Sequence, residues 1–220
     1  MPDPLGDKTL TEHGLDAPTE TSAGRVLLLA CGALAREILA LIATNGWDHL
    51  DLTCLPANLH LYPEKITDAV TDAVTKHRQN YQDIFVLYAD CGTGGLLEAK
   101  CNELGVQMMA GPHCYSFFEG NDSFAAHDDE ITAFYLTDFL VRQFDAFVWK
   151  PMGLDRHPEL LETYFGNYTK LVYLAQIHDS ALKLKAKLHA EKLGLDFEYR
   201  FTGYGDLETE MRDIAVSSGD

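Results

Sequence analysis

Apolar positions in the first half of the chain fall into short unbroken runs, separated by longer stretches with helical spacing. Four runs are predicted as strands: RVLLLAC at 25–31, LDLTCL at 50–55, DIFVLYA at 83–89 and VQMMAG at 106–111. The first and third are continuous, the pattern of a parallel strand covered on both faces. Between them, LAREILALIATNG (34–46) carries apolar residues at helical spacing and stops at Asn45-Gly46. PEKITDAVTDAVTKHRQN (63–80) opens with Pro63 and an early Glu64, and LLEAKCNELG (96–105) ends on a glycine, all ordinary helix punctuation. Strand and helix alternate, so the fold class expected is α/β: an open, mainly parallel sheet of about four strands with helices on both faces.

The second half reads differently. EITAFYLTDFLVRQFDAFVW (130–149) is predicted as one long apolar and aromatic helix, fit for a core or a dimer interface. ELLETYFGNYTKLVYLAQ (159–176) is expected as a second helix, interrupted by Gly166, and SALKLKAKLHAEKLGL (180–195) as a more exposed third. DFEYRFTG (196–203) reads as a last strand, and MGLDRHPEL (152–160) as a hinge between helices. The organisation expected is a single α/β domain over 25–210 with a helical C-terminal half, between flexible tails at 1–24 and 211–220. No repeat with a period of roughly 20–50 residues is visible.

Composition narrows the function classes. With 220 residues, 46% of them hydrophobic, the chain suffices for one sizeable domain or two small lobes around a cleft. Seventeen basic residues stand against 34 acidic ones, a net charge of −17. Such a surface repels phosphate backbones and anionic lipid, so neither nucleic acid nor membrane is an expected partner. No apolar run approaches the roughly 20 residues of a membrane span, and the first 24 residues hold no apolar signal core. A cytoplasmic location is therefore expected, where the five cysteines serve as thiols or ligands and not as disulfides.

Candidate chemistry follows from where those cysteines fall. Ligands of a parallel α/β sheet bind outside the carboxyl ends of its strands. The first strand ends at Cys31-Gly32, the third at Asp90-Cys91-Gly92, and the fourth runs into Gly111-Pro112-His113-Cys114-Tyr115. The second runs on toward His60. Three thiols from three strand ends thus converge on one edge. Zinc takes thiolate and imidazole in tetrahedral sites, and a catalytic zinc keeps one position open. Iron–sulfur clusters also use cysteine. The expected metal ligands are Cys31, Cys91, Cys114 and His60, with zinc the first cofactor considered and an iron–sulfur cluster the second. Gly92, Gly94 and Gly95 permit close backbone approach, and their amides at a helix start are read as cofactor-binding. Glu37, early in the helix after Cys31, and His113 are the candidate catalytic groups. The plain alternative is that the cysteines are small buried hydrophobes. Cys54, inside a strand, and Cys101, inside a helix, are assigned to packing.

YADCGTGG (88–95) is a poor nucleotide loop: no Walker lysine follows, and Leu97 stands where a dinucleotide loop needs its third glycine. Two thiols facing one another across a cleft also suit metal-free acid–base catalysis. Glu119, His157, the Tyr164/Tyr168 pair flanking Gly166, and the segment GYGDLE (203–208) are weaker candidates. Asp138, within an apolar stretch, needs a partner if buried.

The segments LLACGALAREI, LPANLHLYPEKI, VLYADCGTGGLLEAKC, GPHCYSFFEG, FYLTDFLVRQFD, GLDRHPELLETYFGNYTKLVYLAQ and GYGDLE together resemble the family domain of unknown function 1638, over about 25–210. Cys31, Cys91 and Cys114 sit in its motifs. The resemblance implies a setting near one-carbon metabolism, beside corrinoid proteins and methylamine- or betaine-type methyltransferases. It carries no activity to this chain. The chain itself has no D-x-H-x-x-G corrinoid pattern. The expected function is that of a metal-thiolate protein in methyl transfer, acting on a small-molecule substrate or with a corrinoid methyltransferase protein, and able to form a homo-oligomer. A non-catalytic accessory protein that holds a metal or cofactor is the alternative from another class.

Overall fold

The computed structural model describes residues 3, 5–18, 24–127 and 130–218. In chain order the elements are α1 (Asp7–Glu12), β1 (Val26–Cys31), α2 (Ala35–Asn45), β2 (Leu50–Leu55), α3 (Ile66–His77), β3 (Asp83–Leu87), α4 (Leu96–Leu104), β4 (Gln107–Met108), α5 (Ser116–Glu119), α6 (Asn121–Ala125), β5 (Ala133–Leu136), α7 (Asp138–Arg142), α8 (Leu161–Phe165), β6 (Lys170–Ala175), α9 (Ser180–Leu193), β7 (Asp196–Phe201) and α10 (Gly205–Ser217). They form two compact units, one running through Cys114 and resuming at Leu207, the other spanning Tyr115–Asp206. The α/β class is as the sequence predicts, and the stretch 25–210, expected as one domain, contributes to both units.

The first unit is built on a four-stranded parallel sheet in the order β2-β1-β3-β4. Its strands and helices lie where the periodicity places them. β1 is buried at every position, as a doubly covered central strand must be. The chain runs from β1 to β2 on one side and then crosses to β3 on the other. The strand order therefore reverses between β1 and β3, the switch point at which open α/β sheets hold their ligands.

Part of the expected N-terminal tail is folded. Leu10 of α1 is fully buried, and Leu15 exchanges both backbone hydrogen bonds with Cys54, at 2.9 and 2.7 Å, covering the outer edge of β2. Gly32 is needed just past β1 because a Cβ there would lie 2.5 Å from the Leu10 carbonyl. The expected C-terminal tail is helical as far as Ser217, with Met211, Ile214 and Ala215 buried. Of the tail residues, 1, 2, 4, 19–23 and 219–220 lie outside those described.

The second unit corrects the sequence reading most. The single helix expected over 130–149 is β5, then α7, then one π-helical turn at Asp145–Trp149. The helix expected over 159–176 is α8 followed by β6. With β7, expected as a strand, these make a second parallel sheet in the order β5-β6-β7. Alternate residues of β6 feed different clusters: Leu171, Tyr173 and Ala175 pack with α7 and α9, and Val172 and Leu174 pack with Ala133. An ionic network lies beside β7. Arg200 binds Glu119 at 2.5 Å and Glu130 at 2.7 Å and also pairs with Glu198, while Lys170 binds Glu130 at 2.7 Å and Glu198 at 2.6 Å. Burial pushes the Glu130 carboxyl up, but hydrogen bonds from Arg200, Lys170 and Tyr135 outweigh it and hold the group at about 2.

Among the described residues no helix is long and apolar enough to cross a membrane.

Candidate functional site

The carboxyl edge of the first sheet carries the thiols. Cys31 closes β1, Cys91 follows β3 by four residues, and Cys114 lies on the loop after β4. The β3 and β4 loops are zipped together past the end of their strands. The Asp90 amide donates to the Gly111 carbonyl at 2.9 Å, and the Cys91 amide to the Pro112 carbonyl at 3.1 Å. This continuation of the ladder sets Cys91 Sγ 3.2 Å from Cys114 Sγ.

Cys91 is in the left-handed region, with φ +47°, the one described non-glycine residue with positive φ. Such a conformation costs of order 1–3 kcal/mol and persists when its surroundings over-determine it. Here the Asp90 carboxylate does so. It accepts from the amides of Gly92 (3.2 Å), Gly94 (3.2 Å) and Gly95 (2.7 Å) and from the Thr93 hydroxyl (2.9 Å). The Gly95 amide, with the Thr93 hydroxyl and the other two amides, holds the Asp90 carboxyl below the usual carboxylate range against modest burial. The amides read as a cradle for a cofactor are thus filled by the chain's own carboxylate. Gly92, Gly94 and Gly95 shape the loop; the anion they bind is Asp90.

The two touching sulfurs are pushed in opposite directions. Their mutual contact draws Cys91 below the ordinary thiol range; burial opposes this, and His60 adds to the lowering. Cys114 moves the opposite way, raised by that same contact and by burial. The two thiols therefore titrate as a pair, and the first proton leaves at lower pH than from an isolated buried thiol. Cys31 is pushed up to about 12 by burial, and the neighbouring Cys91 charge adds to the rise. His60 comes from the short 3-10 turn Ala57–Leu61 after β2. His113 is lowered by burial, against the attraction of Cys91.

Tyr88 was not singled out in the sequence. It is buried, which pushes its hydroxyl well above the ordinary range, and the neighbouring sulfurs of Cys31, Cys114, Cys54 and Cys91 add to the rise. The hydroxyl steadies the Cys31 sulfur without a hydrogen bond of regular geometry.

The strand ends thus gather Cys31, Cys91, Cys114, His60 and His113. Glu37 is buried on α2 and its charge acts on Cys54. Cys101 is buried within α4, in keeping with packing. Glu119 belongs to the Arg200 network of the second unit. Asp138 there has the partners its burial requires: the Tyr173 hydroxyl at 2.6 Å and the amides of Gln176 and Ile177 at 3.2 and 3.3 Å. His157 faces Glu159 at 3.1 Å. Tyr164 and Tyr168 are exposed, and Tyr168 packs edge-on to Phe134. GYGDLE opens α10.

Among the described residues no three His, Cys, Asp or Glu side chains stand in ligating positions around a common point. Two sulfurs touch, and Cys31 and His60 act on Cys91 electrostatically. The donor set, three sulfurs and an imidazole, is that of a soft or borderline metal. Two sulfurs in contact, one of them drawn below the ordinary thiol range, fit such an ion, whose binding would release the remaining thiol protons.

No curated protein and no solved structure matches the chain. One family does match, over residues 54–211. That range takes in Cys54, His60, Cys91 and Cys114; LLACGALAREI, with Cys31, precedes it. The chain belongs to the family described as Protein of unknown function (DUF1638).

Proposed function

We propose that the protein is a metal-thiolate centre acting in one-carbon or methyl-transfer metabolism. Zinc is the first candidate and an iron–sulfur cluster the second. The observation that carries the reading is the Cys91–Cys114 contact at the carboxyl ends of β3 and β4, beside the switch point of the first sheet where β1 ends at Cys31. Cys91, Cys114, Cys31 and His60 are the residues that would hold the metal. A bound zinc supplies Lewis acidity that lowers the pKa of a thiol substrate, the activation methyl acceptors need. The chain's own part is to ease the ionisation of Cys91 in a buried place, to hold its loop through Asp90, and to present the ring of His113 as a proton acceptor. We place the protein in the cytoplasm, where thiols stay reduced, with a small thiol or a corrinoid methyltransferase protein as its partner.

Elemental analysis and a visible spectrum of anaerobically purified protein test this. About one metal per chain, lost in Cys91→Ser and Cys114→Ser, is expected. Colour with iron and sulfide selects the cluster, and colourless zinc selects thiol activation. Well-folded protein without metal overturns the reading.

A second reading rests on the contact being between two sulfurs only. Cys91 as base and Cys114 as acid would then serve a metal-free proton transfer at a carbon acid. Full activity of chelator-treated protein toward a chiral carbon acid would favour it.

A further inference from the structure

We propose that Cys91 and Cys114 form a dithiol–disulfide couple that exchanges two electrons with small disulfides and thiols. This needs no metal and goes beyond the reading above.

The geometry is close to that of the product. A disulfide bond is about 2.0 Å long, and the two sulfurs stand 3.2 Å apart. Both sit on loops, where small movements are permitted, and the loops are joined by the two backbone hydrogen bonds just before them. Approach of the sulfurs thus needs no shift of β3 against β4. Cys54 lies within a strand and Cys101 within a helix, where regular hydrogen bonding resists such movement. Cys91 is buried and Cys114 is half-buried, so Cys114 is the side from which a small disulfide would approach.

The exchange balances. One sulfur of the pair, as thiolate, attacks a sulfur of the small disulfide; an S–S bond forms to the protein and one small thiolate leaves. The second protein sulfur gives up its proton and attacks that mixed disulfide, expelling the second small thiolate. Two protein thiols are oxidised, one small disulfide is reduced to two thiols, and the protons pass to the departing sulfurs. The bond removes both sulfurs as anionic ligands. Oxidation and metal binding at this edge therefore exclude one another.

The test uses full-length, chelator-treated protein in glutathione buffers running from fully reduced to fully oxidised. Samples are quenched in acid, alkylated and mapped by mass spectrometry. Two of the five thiols should disappear together, with peptides containing Cys91 and Cys114 cross-linked, and reduced buffer should restore both. Cys101→Ser should behave as wild type, and Cys114→Ser should stop at a glutathione adduct or stay reduced. Five free thiols in every buffer, a stable single adduct on wild type, or a cross-link through Cys31 would each overturn the proposal. The protein is metal-free throughout, so a failure of the metal reading leaves this result standing.

Discussion

Cys91, in a left-handed backbone conformation, is held by the carboxylate clamp of Asp90 on three amides and a hydroxyl and by its sulfur contact with Cys114. Each has a measurable consequence. In Cys114→Ala the donor is gone, so the Cys91 pKa rises. Its alkylation by iodoacetamide, which follows thiolate, should move to more alkaline pH and slow at neutral pH. An unchanged pH profile would show that the pair does not set the charge. Asp90→Ala should slow the same reaction about tenfold, the equivalent of about 1.4 kcal/mol, because the loop no longer fixes Cys91 against its partner. A rate equal to wild type would reduce Asp90 to an ordinary turn residue. The cysteines were legible in the sequence because strand ends can be read from apolar runs. Asp90 was not singled out, although an aspartate leading C-G-T-G-G carries the signal of a side chain bonding amides a few residues on. Tyr88 left no sign, since a tyrosine inside an apolar run has the pattern of any core residue.

At the scale of elements, the first sheet was readable because its helices and strands differ in length and are separated by clear stops. β5 and β6 were not. AFYL and KLVYLA are continuous apolar runs, and a strand buried on both faces cannot be told from a buried helix segment by periodicity. The stops that divide them from their neighbours, Thr137 capping α7 and the Gly166-Asn167 turn before β6, sit inside long apolar windows. Two variants probe what holds these elements. Gly32→Ala would put a methyl group 2.5 Å from the Leu10 carbonyl. It should displace α1 and lower the unfolding midpoint. An unchanged midpoint would mean α1 is not docked there. Glu130 titrates from the ordinary carboxylate range to about 2 on folding. A group depressed in this way stabilises the fold fully above its unfolded pKa of about 4.3 and loses that contribution as pH falls toward 2. Glu130→Gln, which leaves half-buried Arg200 and Lys170 short of a carboxylate, should destabilise by roughly 2 kcal/mol at neutral pH. Its stability should also fall less steeply in acid. A wild-type acid profile in the variant would contradict the role given to this network.

At the scale of the molecule, one parallel sheet supplies a site of recognisable chemistry and a second supplies a separate core. The charge of −17 argues against polyanionic partners. The family match spans residues from both units. The central claim is that the sulfurs at the β1, β3 and β4 ends act together on one metal. Cobalt(II) titration of the reduced, chelator-treated protein tests it most directly, because thiolate-to-cobalt charge transfer reports sulfur ligation by its near-ultraviolet absorption. The account predicts saturation at one cobalt per chain. The band should weaken in Cys31→Ser and nearly vanish in Cys91→Ser and Cys114→Ser. A wild-type protein that takes up no cobalt, or binds it without a thiolate band, would contradict the account.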